Sequence, residues 1–475
     1  MKKLINKFKN KDKNSLFNHS KNYLIAELFN KGIVFLTIPI FTRLLLPEEY
    51  GIISIFVSII SIFTVLMGMN FHGSINRKYQ EKDGEFEEYL GTNMIFLLIT
   101  NILFIGLGYL FKDYLASFFG VDSNIFFIAL LISSLGFFIQ IELSYFEGSQ
   151  QSGKYAKLSV IRNLFLTIGA IIWIYNLKDN RYLGKVYSQL IITAILSIIV
   201  IYNLLKISKF SFKKKHIMYS LGFGVPLIPH ALSGFILSQF DRVIINQISG
   251  SYETGLYSFA YNVGMIMSVV VGALGSASGP IVLEYYRVKK IKKMQELVEK
   301  NSKIVFIVAL LLILFSKEII LLLATKEYIE ALRIVPLIIL SGVVTYLYGI
   351  FVFHPFYYKK TLRISIFTFI AGFVNIGLNY MFIPKYGYIA AAWTTLVSYV
   401  LLFVLHYTNT VYLMKKDTFK IKNIMFNLLL LIFMILFYIK LDIKNYLIFF
   451  IIKFFIMLCY AYIIKIKEIF NEFKE

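Results

Sequence analysis

Cysteine is almost absent: Cys459 alone stands in a chain of 475 residues, which excludes an internal disulfide and a cysteine-rich metal site. The six histidines never pair at a helical ligand spacing, so no zinc-type centre is expected. No Walker loop occurs, which argues against ATP hydrolysis within the chain. Charge is scarce too, at 16% of residues, and no polar block exceeds roughly 20 residues, so no extramembrane domain is expected. Acidic residues are the rarer sign: 27 Asp and Glu stand against 49 Lys and Arg, a formal net charge of +22. The basic residues are scattered over short loops rather than gathered on one face, which argues against nucleic acid as a partner.

What is present is hydrophobicity. The chain is 58% hydrophobic and holds many apolar runs of about 20 residues, the length that crosses a bilayer as a helix. The pattern predicts an all-α integral membrane protein of about 14 spans. Six lie near 22–45, 50–72, 90–111, 124–147, 155–176 and 183–205. Six more lie near 219–246, 254–286, 300–324, 333–358, 362–383 and 388–413, and two extra spans near 423–440 and 445–465. The expected organisation is a basic N-terminal segment (1–21), an N-lobe (22–205), a basic linker (206–218), a C-lobe (219–413) and a C-terminal portion (414–475) holding the extra helices and a tail.

Lys and Arg concentrate in the N-terminal tail and the even-numbered connections, among them Lys213, Lys214, Lys215, Arg287 and Lys289. Positive flanks stay in the cytoplasm, so both termini are expected there. The first 21 residues lack a small-residue cleavage site after the first apolar run and are predicted to be an amphipathic or disordered lead-in rather than a cleavable signal.

A six-residue signature occurs twice, Glu49-Tyr-Gly-Ile-Ile-Ser54 and Glu253-Thr-Gly-Leu-Tyr-Ser258, 204 residues apart (49 to 253) and each time just after a span. Gly184 and Gly387 repeat nearly the same offset, and Gly153-Lys-Tyr155 set beside Lys359-Lys-Thr361 is a weaker third match. Six spans per lobe is an even number, so the two copies are predicted to insert in the same sense, related by an axis along the membrane normal.

Gly224-Val-Pro226, Asp241-Arg242, Gly255-Leu-Tyr-Ser258 and Tyr261, in this order and spacing, resemble the second-lobe signature of polysaccharide and oligosaccharide (O-antigen type) flippases. These belong to the multidrug/oligosaccharidyl-lipid/polysaccharide exporter superfamily. Arg43 with Pro47-Glu-Glu-Tyr-Gly51, Arg77-Lys-Tyr79, Asn379, Ile383-Pro384, Tyr386-Gly387 and Ala390-Ala-Ala392 extend the resemblance over roughly residues 15–413. It implies a bacterial inner-membrane flippase, not an enzyme, that moves an undecaprenyl-diphosphate-linked oligosaccharide outward by alternating access for O-antigen or capsule synthesis. The implied partners are that lipid-linked oligosaccharide, membrane lipid and polysaccharide polymerase machinery. No cofactor is implied beyond a coupling ion, H+ or Na+. A peptidoglycan-precursor flippase and a drug or cation antiporter are the rivals within the superfamily. A membrane oligosaccharide polymerase is the rival of a different class.

Charges inside spans are costly and therefore the candidates for function. Lys31, Arg77, Arg242 and Lys453 are the candidate diphosphate or sugar contacts, and Glu27, Asp241 and Glu142 the candidate coupling or charge-pair residues. Glu27 and Lys31, four apart, can pair on one helix face. Asp241 and Arg242 are adjacent and point to different sides of their helix. Arg77 reads equally as a cytoplasmic anchor, Lys453 as a snorkelling side chain or a lipid-phosphate contact, and Glu284 as a solvated boundary next to Arg287. Arg162 is a further charge within a span. Gly222, Gly224, Pro226 and Pro229 predict a bend at the start of the seventh span, and Pro39, Pro280, Pro336 and Pro355 further kinks.

Overall fold

A computed structural model describes the backbone of residues 2–419, 421–439 and 446–464, and the side chains in those ranges apart from 2–20, 230, 439 and 446–449. The described residues are helical throughout, without strands. The basic side chains of the first 20 residues and the expected tail beyond residue 464 lie outside the described residues. The chain divides into two compact units, Met1–Gly255 and Leu256–Glu475. The division falls inside the second copy of the repeated signature, because the seventh span packs with the first six.

The first unit contains α1 (Lys2–Leu44), α2 (Pro47–Gly68), α3 (Phe71–Glu81), α4 (Phe86–Leu110), α5 (Lys112–Phe119), α6 (Ser123–Gly148), α7 (Ser152–Asn176), α8 (Tyr182–Ile207), α9 (Lys214–Gly224) and α10 (Ile228–Ser249). It also holds the first turn of α11 (Ser251–Arg287). Helix α6 is its centre, packed on α2, α3, α5 and α8. Asp122 starts α6 as an N-cap, accepting from the Asn124 amide at 2.8 Å. One apolar core gathers Phe71, Leu90, Phe137, Ile141 and Val200, and another Ile55, Phe56, Phe126, Val186 and Val243.

The second unit continues α11 and adds α12 (Ile291–Leu314), α13 (Ser316–Leu323), α14 (Val335–Tyr357), α15 (Thr361–Thr408), α16 (Ile421–Ile439) and α17 (Tyr446–Ile463). Gly387, at φ 62° and ψ −155°, divides α15 into two halves packed side by side, the expected eleventh and twelfth spans. Glycine enters this left-handed region without the Cβ clash that other residues meet.

Ten helices among the described residues are long and apolar enough to cross a membrane, or twelve if each of two bent pairs is one span. The expected fourteen is reached only when α15 is divided at Gly387 and the short apolar helix α17 is added. Large apolar side chains such as Leu36, Ile102, Leu110, Ile198, Leu362 and Phe433 lie exposed along the spans, whereas Asn93, Asn101, Ser197 and Asn375 are buried. That inverted surface suits hydrocarbon, not water.

The duplication is visible in backbone geometry. Phe111 ends α4 at φ −102° and ψ 14°, and Phe315 ends α12 at φ −101° and ψ 13°, again 204 positions later (111 to 315). Each is followed by a helix of eight residues. The copies differ at the second span: Met69 and Asn70, both left-handed, break it into α2 and α3, while α11 runs 37 residues straight through Pro280. The proline-rich start of the seventh span bends by 43°, as expected, but the sharper bend of 65° between α12 and α13 has no proline at all. There the helix breaks at Phe315 instead.

The repeated signature itself forms a close crossing inside the first unit. A Cβ on Gly51 would lie 1.9 Å from the Ser251 carbonyl oxygen, and one on Gly255 would lie 1.8 Å from that of Pro47. Only hydrogen fits at either place, so the two N-terminal turns touch backbone to backbone. Glu49 secures this corner by accepting from the Leu46 amide at 3.2 Å and the Tyr182 amide at 3.4 Å, which caps α2 and ties it to the start of α8.

Candidate functional site

Within the first unit, α1 is fastened along α7 by short polar side chains. Asn22 donates to Ser152 Oγ at 3.0 Å and Asn30 to Ser159 Oγ at 2.7 Å, while Asn163 donates back to the Asn30 carbonyl oxygen at 3.3 Å. Tyr23 and Tyr155 meet edge to face at 4.9 Å. On α1 so held, Lys31 Nζ and Glu27 Oε1 form the expected ion pair at 2.7 Å, with side chains 36% and 60% exposed. Neither is buried.

Two further cations lie in the same group of helices. Arg162 on α7 has its Nε buried with no hydrogen-bond partner among the described residues. Lys185 on α8 sits 5.7 Å from the centroid of the Phe41 ring of α1 and makes no ion pair among the described residues. Lys185 escaped the sequence reading because it falls three residues into a span, where it passes for a flank. Its signal is the lack of any carboxylate three or four residues away on α8.

Asp241 and Arg242 are both buried, as are all residues of α10 from 241 to 246. Asn246 in the same stretch donates to the carbonyl oxygens of Phe119 and Gly120, each at 2.9 Å, fixing α10 against the end of α5. Glu142, 3% exposed, stands among the core residues Phe138, Ile139 and Ile141 of α6 and accepts from Asn203 of α8 at 3.2 Å. No cation pairs with it among the described residues.

Arg77 lies outside the spans on α3, exposed, with its guanidinium 5.4 Å from the Phe223 ring and 3.6 Å from Glu81. Its neighbour Lys78 is the buried one, 6% exposed, and the sequence reading passed over it as part of a motif. Lys78 donates to Asp83 and to Glu81 at 3.3 Å, and lies 5.2 Å from the Tyr219 ring. Burial works against its charge, but the hydrogen bonds to Asp83 and Glu81 outweigh it and hold the pKa above the usual lysine value. The Lys78 hydrogen bond in turn lowers the Asp83 pKa. Glu81 is lowered first by the Tyr219 hydroxyl at 2.6 Å and then by Lys78.

The basic linker is strapped to the start of α4 beside this cluster. Lys209 pairs with Glu87 at 2.7 Å, Lys213 with Glu88 and Lys215 with Glu85, and the Lys209 amide donates to the Glu87 carbonyl at 2.9 Å. A Cβ on Gly91 would meet the Lys209 carbonyl oxygen at 1.9 Å, so the absence of a side chain lets the strap lie flat.

In the second unit Lys453 is fully buried. Its ammonium pairs with Glu318 at 2.6 Å and lies over the rings of Phe315, at 5.4 Å, and Tyr438, at 5.7 Å. Glu284 pairs with Arg287 at 2.9 Å on an exposed face. Asn375, Asn379, Thr394 and Thr395 hydrogen-bond to one another between the halves of α15. No group of three His, Cys, Asp or Glu able to hold a metal occurs among the described residues.

Apolar helices of spanning length, duplicated in sequence and geometry and carrying buried charges within them, define a multi-pass membrane transporter. The chain belongs to the polysaccharide biosynthesis protein family, whose pattern residues 21–286 match. A "Probable low-salt glycan biosynthesis flippase" of Haloferax volcanii is 24% identical over 80% of this chain and 80% of its own length. The succinoglycan biosynthesis transport protein ExoT of Rhizobium meliloti is 20% identical over 53% of this chain and 51% of its own length. Among solved structures, lipid II flippase MurJ in an inward closed conformation matches at a TM-score of 0.73 and 17% identity, covering 95% of this chain and 99% of that one. An inward-facing multidrug resistance MATE family transporter of the MOP superfamily matches at 0.63 and 16% identity, covering 82% and 96%. The all-α membrane fold and the expected flippase family therefore hold.

Proposed function

We propose that this protein moves an undecaprenyl-diphosphate-linked oligosaccharide across the bacterial cytoplasmic membrane, from the cytoplasmic to the outer leaflet, by alternating access. Both termini lie in the cytoplasm in this reading, and the product feeds a polysaccharide polymerase for O-antigen or capsule. The observation that carries it is the excess of cation inside the first unit: Arg162 and Lys185 make no ion pair among the described residues, and Lys31 is held by one exposed carboxylate. Unneutralised cations in apolar spans are costly, and a diphosphate is an anion that repays them through charge-assisted hydrogen bonds. A carrier of cationic drugs would instead expose carboxylates. Lys31, Arg77 and Arg242 are the assigned phosphate or sugar contacts, joined by Arg162 and Lys185. Glu142, buried in α6 with the Asn203 amide as its hydrogen-bond donor and no cation paired with it among the described residues, is assigned as the coupling residue.

The test is surface polysaccharide in a flippase-null host complemented with Lys31→Ala or Arg242→Ala. Loss of one charge-assisted contact costs about 1.5–3 kcal/mol, roughly a tenfold to hundredfold drop in apparent affinity, so polysaccharide falls while membrane insertion is unchanged. Wild-type polysaccharide in both variants removes these residues from the site. A peptidoglycan-precursor cargo, which the likeness to MurJ's fold keeps as the second reading, predicts rescue of a lipid II flippase-null host instead.

A further inference from the structure

The hairpin of α15 carries a groove that none of the roles above uses. Its halves face each other with opposite characters on two sides. One side is the buried polar seam of Asn375, Asn379 and Thr395. The other is a cavity of about 470 Å³ between a ridge of Leu378, Phe382 and Tyr386, spaced four apart, and a ridge of Ile389, Trp393 and Val397. Ala390 forms its buried floor, and the Thr394 hydroxyl that borders it is already committed to Asn379. The volume falls in the range of about 300–1,000 Å³ typical of ligand pockets, while the lining offers a ligand almost nothing but hydrocarbon and ring faces. From Leu378 to Tyr386 the groove runs about 12 Å at 1.5 Å per residue. It ends at the Gly387 turn, where Lys385 is exposed and makes no ion pair among the described residues.

We propose that this groove holds the isoprenoid chain of a polyprenyl phosphate, with the phosphate at Lys385. The chemistry selects an apolar chain joined to one anionic head: the cavity is lined almost wholly by hydrocarbon and ring faces, and Lys385, exposed and in no ion pair among the described residues, directly precedes its lining residue Tyr386 in the chain. This assignment rests on the proposed polyprenyl-linked cargo, and it places a waiting site for the carrier lipid on the second unit.

The chain has only two tryptophans, so Trp173→Phe leaves Trp393 as a sole reporter inside the groove. In vesicles of dibrominated phosphatidylcholine, bromine on the surrounding chains quenches Trp393. Undecaprenyl phosphate, without any sugar, is expected to displace those chains and restore emission saturably, whereas dioleoyl phosphatidic acid at the same concentration does not. Lys385→Ala is expected to shift the midpoint about fivefold, the effect of one cation near a membrane surface. Ala390→Phe, which fills the floor, is expected to abolish the recovery. No recovery, or equal recovery with phosphatidic acid, overturns the groove. Flipping of lipid-linked oligosaccharide by the same Trp173→Phe protein is measured in parallel: recovery without flipping supports the groove and overturns the proposed transport, and flipping without recovery does the reverse.

Discussion

At Gly51 a methyl group would collide with a carbonyl oxygen that belongs to backbone and cannot rotate away. Gly51→Ala is therefore expected to destabilise the protein by about 1–3 kcal/mol, the cost of forcing a close-packed contact apart. Gly106→Ala is the control: nothing lies within 4 Å of its Cβ position near the end of α4, and helix propensity alone predicts a gain of about 0.5–1 kcal/mol. Thermal unfolding in one detergent should move the two midpoints in opposite directions. The sequence marked Gly51 and Gly255 only as a repeated pattern, because the contact between them spans 204 positions and no local rule reports it. Lys31 and Glu27 were readable for the opposite reason: their pairing is fixed by helix periodicity alone. Lys78 was not, since its burial comes from Tyr219 and a loop of carboxylates brought in by the fold.

Between elements, the linker strap and the Lys453 pair make opposite predictions. The strap is built from partly or wholly exposed pairs and so contributes little each, but it titrates. Glu85 and Glu88 have folded pKa values below their ordinary 4.5, held there chiefly by hydrogen bonds from Lys215 and Lys213 respectively. A depressed carboxylate contributes stability that is complete above its ordinary pKa and disappears as pH falls through the lowered value. Hydrogen exchange of residues 208–215, corrected for its intrinsic pH dependence, should stay slow from neutrality down to about pH 4.5 and accelerate below it. Unchanged protection to pH 3 would show that the strap is not ionic. Lys453 and Glu318 are different, because Lys453 has no water to retreat to. Lys453→Ala strands the Glu318 carboxylate and should cost about 3 kcal/mol, the lower end for a broken buried pair since Glu318 is partly exposed. Lys453→Met with Glu318→Leu should recover most of that loss. If the double variant still flips substrate, the role of Lys453 is to fasten α17 to α13; if flipping stops while stability returns, it contacts substrate. Helix positions were legible from hydropathy, yet the break at Met69 and Asn70 was not: Asn70 suits a left-handed turn, but Met69 before it does not, and the apolar run continues past both.

Over the whole molecule, the composition is that of a protein whose solvent is lipid, and the duplication repeats both a signature and a helix break at one offset. That much was present in the sequence, because span length and periodicity are local properties. What stayed hidden was which charges remain uncompensated, since that depends on partners from other helices. The proposed transport depends on those charges. In vesicles carrying a fluorescent undecaprenyl-diphosphate oligosaccharide in both leaflets, about half the label is open without a flippase to a membrane-impermeant reductant that irreversibly destroys the dye, because the leaflets share it equally. Adding the reconstituted protein should carry the accessible fraction well above half, and the triple replacement Lys31→Ala, Arg162→Ala, Lys185→Ala should return it to half although the protein inserts normally. A rise that is as fast with the triple variant as with the unaltered protein, or no rise with either, would contradict the central claim.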